Sequence, residues 1–100
     1  MKTHPMKLVT VVCEALARDR ITGLLAEEGA RGHTAYPVTG FGAKGERRGE
    51  IEEFGNVQIE VIVPPAVAER LLERLARDIL PHFATVVYES DVRVLRQEKF

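Results

Sequence analysis

The stretch NVQIEVIVPP, residues 56–65, decides the fold, because it predicts a buried strand that is followed at once by a helix. Its apolar residues first alternate with polar ones and then become continuous, which is typical of a β-strand. The two prolines end the strand, and large apolar residues then recur at every fourth position, which predicts an amphipathic helix to about Leu80. The apolar stripe consists of Val67, Leu71, Leu75 and Ile79, with Leu72 beside it.

The same order of strand, helix and strand is predicted before this stretch. Residues 7–13, KLVTVVC, are β-branched and apolar and predict a strand, while residues 14–29 have helical spacing that is expected to stop at Gly29. Residues 34–39 predict a second strand, in which Pro37 removes one hydrogen-bond donor and so favours a sheet edge or a bulge. The predicted buried face of the first helix consists of Leu16, Ile21, Leu24 and Leu25.

Beyond the second helix, which Pro81 is expected to end, residues 83–88 predict a fourth strand and residues 91–95 a last short one. Two β-α-β halves predict a single α+β domain over residues 1–100, a ferredoxin-like βαββαβ sandwich with both helices on one face. The other face of the sheet also carries apolar residues, and two helices cannot cover both faces. We therefore expect the second face to be buried against other copies of the chain.

Composition and charge exclude several classes of protein. Hydrophobic residues make up 45% of the chain and charged residues 29%, which is typical of a soluble globular protein. The net charge of -1 provides no basic field for nucleic acid. No apolar run approaches the ~20 residues of a membrane helix. The first residues, MKTHPMKLV, lack a signal-peptide pattern, so a cytoplasmic location is expected.

The segment GFGAKGERRG, residues 40–49, contains the spacing Gly-x-Gly-x-x-Gly. Five of the eight glycines fall between residues 40 and 55, which predicts a long loop. A dinucleotide-binding fold needs this motif between a strand and a helix, and a P-loop needs a different pattern, so neither fits. Glycine amides together with Lys44, Arg47 and Arg48 nevertheless favour phosphate binding. A solvated loop that contacts nothing is the alternative, since neighbouring glutamates oppose an anion.

At these residues the sequence resembles the PII signalling proteins over nearly its whole length. The matching segments are KLVTVV at the start, residues 28–32, Thr39 to Gly42, Val57 to Pro64, and Asp91 to Arg96. The resemblance implies that residues 42–55 are the T-loop of that family, the arm that contacts partner proteins. It also implies a homotrimer that binds adenine nucleotides in clefts between its subunits.

Carried over position by position, the resemblance implies a nucleotide site. Gly40, Phe41 and Gly42 match the base of the loop, Glu60 and Ile62 match strand positions beside the adenine and ribose, and Arg96 matches a phosphate-contacting arginine. The whole set of expected nucleotide-binding residues is Gly40, Phe41, Gly42, Lys44, Arg47, Arg48, Glu60, Ile62, Phe83, Ala84, Thr85, Arg93 and Arg96.

The sequence also departs from ordinary PII proteins. Their Gly-Asp-Gly-Lys loop before the fourth strand is replaced by His82-Phe83-Ala84-Thr85, and their loop glutamine by Lys44. The chain looks closer to the PII-like branch, which includes SbtB and the carboxysome-associated PII proteins linked to inorganic-carbon uptake. Lys44 to Arg47 resembles the segment whose arginine contacts phosphates there. Expected ligands are AMP, ADP, ATP or cyclic AMP, with bicarbonate as a second ligand in one part of the branch.

The predicted function is therefore non-enzymatic regulation of a partner through the T-loop, the partner being a transporter, for example of bicarbonate, or an enzyme. A nitrogen-regulatory PII protein is one alternative. A metal-binding trimer of the related CutA type is another, with Cys13, His33 and His82 as ligands, although they lack local metal-ligand spacing. An acylphosphatase-like enzyme needs a glycine-rich cradle after the first strand, which the residues before Arg18 do not provide. The single cysteine, Cys13, is predicted to be a small buried side chain rather than a redox thiol.

Overall fold

The computed structural model describes residues 1–42, 45–47 and 55–100, with the backbone alone at residues 41, 42 and 45–47. Six strands and two helices follow one another along these ranges. They are β1 (His4–Glu14), α1 (Arg18–Glu27), β2 (Thr34–Val38), β3 (Gly40–Gly42), β4 (Gly45–Arg47), β5 (Asn56–Val63), α2 (Pro65–Asp78) and β6 (Thr85–Val94). Single 3₁₀ turns occupy Ala15–Ala17 and Gln97–Lys99.

The main sheet has the strand order β2-β5-β1-β6, and every neighbouring pair is antiparallel. β1 therefore lies inside the sheet, and β2 and β6 form its two edges. Pro37 lies on edge strand β2, as its missing N–H requires. This arrangement of four antiparallel strands and two helices confirms the predicted α+β, ferredoxin-like fold.

Both helices pack on the same face of this sheet. Alternate residues of β1 and β5 point to that face, where they meet the apolar stripes of α1 and α2 in one core cluster. The members that are wholly buried include Val9, Val11, Cys13, Ile21, Ile59, Leu71, Leu75 and Ile79. Since apolar burial is the main driving force for folding, this cluster holds the helices to the sheet.

Proline and glycine set the helix ends. α2 begins at Pro65, where a helix needs no backbone N–H donor, and it ends at Asp78, two residues before the predicted Leu80. α1 is followed by Gly29, whose φ of 96° lies in the left-handed region, and the amide of Ala30 donates to the carbonyl of Leu25 at 3.0 Å. The predicted stop at Gly29 is thus a glycine C-terminal cap.

Three sequence predictions were wrong in detail. Leu16 was placed on the buried face of the first helix but is 61% exposed, because the 3₁₀ turn Ala15–Ala17 changes the helical phase and buries Ala17 instead. The predicted fourth and fifth strands are one strand, β6, in which Glu89 and Ser90 stay paired with Val9 and Leu8. Polar residues interrupted the apolar pattern there without interrupting the hydrogen-bond ladder.

The third difference concerns residues 40–55, which were predicted to be a loop without strands. Their described part forms a small antiparallel hairpin, in which β3 pairs with β4 through Gly40 opposite Arg47 and Gly42 opposite Gly45. The T-loop range of about 42–55 otherwise lies mostly outside the described residues, as do Lys44 and Arg48.

The sheet face away from the helices is called the open face below. It carries Val86, Tyr88 and Tyr36, which are 42%, 48% and 38% exposed, besides the half-buried Leu8, Val12 and Ile62. Exposed apolar side chains grouped on one face are typical of an interaction surface. Burial of the open face against other copies stays a prediction, and these exposed side chains support it. Among the described residues, no helix combines the length and hydropathy needed to cross a membrane.

Candidate functional site

A cavity of about 240 Å³ opens on the open face beside edge strand β2. Strand pairing builds it, since Leu8 lies opposite Ile62 and Thr34 lies opposite Glu60. Its walls are Leu8, Gly32, His33, Thr34, Glu60, Ile62 and Phe100. The combination of apolar side chains with one side-chain carboxylate, one imidazole and one hydroxyl suits a flat organic ring that carries hydrogen-bonding groups.

The carboxylate of Glu60 is held in place by two neighbours on the open face. The Tyr36 hydroxyl donates to Glu60 Oε2 at 2.7 Å, and Gln58 Nε2 donates to the same oxygen at 3.0 Å. Gln58 Nε2 also donates to the Tyr36 hydroxyl oxygen at 2.7 Å. The hydrogen bond to the Glu60 carboxylate, together with burial, raises the pKa of Tyr36, so the phenol stays protonated at neutral pH. Glu60 therefore presents an oriented acceptor to the cavity.

The loop that forms the β2 side of the cavity is anchored at its start. Arg74 Nη1 of α2 donates to Glu28 Oε2 at 3.0 Å, and Arg70 Nε donates to Glu28 Oε1 at 3.2 Å. Hydrogen bonds from these two arginines, above all from Arg74, lower the pKa of Glu28. Because Glu28 directly precedes the loop to Gly32, the two arginines fix where that wall of the cavity begins.

Another part of the wall comes from the chain after β6. The turn Gln97–Lys99 brings Phe100 to the cavity, and Arg31 Nη1 donates to the carbonyl oxygen of Glu98 at 3.0 Å. Arg96 lies at the start of this segment, with its Nε 3.6 Å from Glu98 Oε1. The predicted phosphate-contacting Arg96 is thus in the segment that borders the cavity.

A second group of predicted residues lies at the other end of the sheet. Thr85 is paired with Cys13, and its hydroxyl donates to the Phe83 carbonyl at 3.0 Å. Phe83 packs against the core, and the Arg20 guanidinium carbon lies 5.9 Å from the centre of its ring. Gly40 starts at the same end of the sheet, just after β2. β2 and β6 are three strand spacings apart, which is roughly 14 Å.

One chain therefore does not bring all the predicted residues together. Glu60 and Ile62 line the cavity, whereas Thr85 and Arg93 lie at opposite ends of β6, eight residues or roughly 27 Å apart. Ala84 lies beside Thr85, at the far end from the cavity. The side chains of Phe41 and Arg47, like Lys44 and Arg48, are outside the described residues.

Five residues of the cavity were not predicted: Leu8, Gly32, His33, Thr34 and Phe100. Leu8 was inside a predicted strand, and its pairing with Ile62 could have identified it if the register had been known. Thr34 is similarly identified only by its position opposite Glu60. Phe100 carried no signal at all, because nothing in the sequence indicates that the chain returns to β1 and β5.

The residues of the alternative metal site do not form a group. Cys13 is wholly buried in the core, which confirms the prediction of a small buried side chain, while His33 lies at the cavity. His82 follows α2 in an exposed turn. Within the described ranges, no three His, Cys, Asp or Glu side chains are arranged to hold a metal ion.

Burial of Cys13 has a measurable consequence. Loss of hydration raises the pKa of its thiol from 9.0 to about 11, so the thiolate is about a hundred times rarer at pH 8 in the folded protein than in the unfolded chain. We expect iodoacetamide to alkylate the native protein at least about a hundred-fold more slowly than the protein in urea. Equal rates in the two states would contradict a buried thiol. Because Cys13 is the single cysteine in the sequence, the measured alkylation rate reports on this thiol alone.

Comparison with known proteins gives one family and a group of similar structures. The family model described as "Nitrogen regulatory protein P-II" matches residues 6–99. The search among curated proteins finds no match. A crystal structure assigned to the PII-like signalling proteins, from Thermus thermophilus, is 39% identical, with 100% of this chain and 99% of that chain covered and a TM-score of 0.85.

A second similar structure contains ligands. CPII, described as a nitrogen regulatory PII-like protein from Thiomonas intermedia K12, was solved bound to ADP, AMP and bicarbonate. It is 27% identical to this chain, with 99% of this chain and 96% of that chain covered, and the TM-score is 0.89. A further CPII structure, at 26% identity and a TM-score of 0.85, was bound to ADP, AMP and acetate and covers 100% of this chain and 98% of that one.

Proposed function

Since the chain belongs to the nitrogen regulatory protein P-II family, as a PII-like signalling protein, we propose that it is a homotrimer that binds an adenine nucleotide between neighbouring copies. The observation that carries this proposal is the cavity at Glu60 and Ile62, two positions expected to lie beside the base and ribose. Support comes from CPII, which was solved with ADP and AMP.

The size of the cavity favours a site shared between copies. At about 240 Å³ it is smaller than the ~300–1,000 Å³ of complete small-molecule sites, so it suits the base and leaves the sugar and phosphates to be bound elsewhere. The sugar and phosphates then need a surface beyond the walls of this cavity. A neighbouring copy would supply it if its sheet edge lay against the open face.

We propose that this neighbour contributes the remaining predicted residues. The cavity, Arg93 and Arg96 of one copy would then face the loop base Gly40 to Gly42 and the segment Phe83 to Thr85 of the next. Lys44, Arg47 and Arg48 would provide positive charges for the phosphates, and arginine can bind phosphate through two hydrogen bonds. Within one chain Thr85 lies roughly 27 Å from Arg93 along β6, which favours a site completed by a neighbouring copy.

We propose that the T-loop, residues 42–55, is the segment that contacts a partner protein. Phosphate contacts at its base would offset the entropy of ordering it, so the presented surface would depend on the bound nucleotide. The partner we propose is a transporter, for instance of bicarbonate, or an enzyme. Bicarbonate itself is a proposed second ligand, by analogy with CPII. We further propose that the protein acts in the cytoplasm and catalyses no reaction.

Calorimetric titration with AMP, ADP, ATP and cyclic AMP, with and without bicarbonate, tests the proposed function. We expect saturable binding of at least one of the four nucleotides, and the stoichiometry should approach one nucleotide per chain. GMP is the matched control, since it has the same phosphate but a different base edge toward Glu60. Absence of binding for all four nucleotides at millimolar concentration would refute the proposal.

A further inference from the structure

Phe100 is a half-buried aromatic residue that takes no part in the core. Its ring is absent from the apolar cluster between sheet and helices, whereas Phe83 packs against that cluster. Phe100 lines the cavity instead, together with Leu8 and Ile62. Phe100 is therefore half-buried outside the core, beside the cavity that it borders.

The segment that carries Phe100 takes a defined course. β6 ends at Val94, which is paired with His4 at one edge of the sheet, and Phe100 lies at a cavity built from β1, β5 and the start of β2. Six residues thus cross from one edge of the sheet toward the other. The crossing segment is closed by the 3₁₀ turn Gln97–Lys99, in which the Phe100 amide donates to the Gln97 carbonyl at 3.1 Å.

This segment is attached to the loop that carries the wall residues Gly32, His33 and Thr34. Arg31 Nη1 donates to the Glu98 carbonyl oxygen at 3.0 Å, and Arg31 immediately precedes the wall residues Gly32, His33 and Thr34. One hydrogen bond thus joins two of the segments that line the cavity. It holds the segment that carries Phe100 beside the cavity that Glu60 also lines.

We propose that Phe100 is the residue on which the nucleotide base stacks, and that Arg31 positions it through the Glu98 carbonyl. The inference rests on the proposed function, because it assigns a role within the same nucleotide site. An aromatic ring binds any base by its face, so such stacking adds affinity whichever base is bound. The Glu60 carboxylate then accepts hydrogen bonds from the edge of the same base or from its sugar. The aromatic wall thus supplies affinity and the carboxylate supplies selectivity.

Three substitutions of Phe100 separate stacking from simple filling of space. Phe100→Tyr keeps an aromatic face, Phe100→Leu keeps apolar bulk without a ring, and Phe100→Ala removes both. Titration with AMP should give a dissociation constant for Phe100→Tyr within about twofold of the unmodified protein. Both Phe100→Leu and Phe100→Ala should bind AMP about ten-fold more weakly, which corresponds to about 1.4 kcal/mol. Arg31→Ala should weaken AMP binding by a smaller factor.

The outcomes are distinct. Equal affinity of all three Phe100 variants would overturn the inference while leaving the nucleotide site intact, and so would wild-type affinity of Phe100→Leu, since apolar bulk would then suffice. Failure of the unmodified protein to bind AMP, ADP, ATP or cyclic AMP would instead overturn the proposed function and this inference with it. Thermal unfolding of each variant checks the fold, which should be unchanged because Phe100 lies outside the core.

Discussion

Tyr88→Glu is expected to convert the protein from a trimer into single chains. Tyr88 lies on the open face in the row of Thr10 and Glu60, and it is 48% exposed in the single chain. The substitution should therefore cost an isolated chain little. In a trimer that buries the open face, each copy would bring an unpaired carboxylate into an apolar interface, at an effective penalty of several kcal/mol per charge. Light scattering after size exclusion measures the mass directly.

Two matched variants control this experiment. Tyr88→Phe keeps the apolar surface and should preserve the assembled mass, about three times the 11.2 kDa of one chain. Ala76→Glu adds the same charge at an exposed position of α2 and should also leave the assembly intact. A Tyr88→Glu variant that keeps the mass of the unmodified trimer would contradict burial of the open face between copies.

Ile62→Trp is expected to abolish nucleotide binding, with a loss of at least about a hundred-fold for AMP. Ile62 is half-buried, lines the cavity and lies opposite Leu8, so a bulkier ring at this position would occupy the space of the proposed base. An indole ring there would fill a large part of the cavity of about 240 Å³. Small-to-large changes in packed sites typically cost ~1–3 kcal/mol in strain alone. Here the larger side chain would also occupy the position of the ligand.

Ile62→Val is the matched control, because it keeps the β-branched shape and opens the cavity by one methylene. It should bind AMP within a few-fold of the unmodified protein, since the loss of one methylene is a small change in apolar contact. Calorimetric titration with AMP compares the two variants, and light scattering verifies that both keep the assembled mass. Binding of AMP by Ile62→Trp within about ten-fold of the unmodified protein would place the base outside this cavity.

The fold could be predicted because its determinants are local. The alternation of residues 56–63 gave β5 its observed bounds, Asn56–Val63, and the four-residue period of Leu71 and Leu75 gave the buried face of α2. β6 was divided in two because polar residues of an edge strand have little to bury against, so its apolar pattern weakens while its backbone pairing continues.

The site could be predicted only where a resemblance supplied it. Glu60 and Ile62 were expected beside the base and ribose, which stays a prediction, and they line the cavity; Leu8 and Thr34 reach it through pairing between strands distant in sequence. Strand register is set by contacts that a local pattern does not contain. Phe100 depends on the course of the chain after β6, for which no periodic pattern exists. Residues that would meet across two copies have no signal within one chain.

Native mass spectrometry in the presence of ADP tests the central claim most directly, because one spectrum reports both the number of chains and the number of bound nucleotides. The account predicts a trimer that carries up to three ADP molecules, and it predicts single chains without ADP for Tyr88→Glu. A single chain that holds ADP as tightly as the assembly does would contradict a site completed between copies. A trimer that stays free of ADP, AMP, ATP and cyclic AMP would contradict nucleotide sensing.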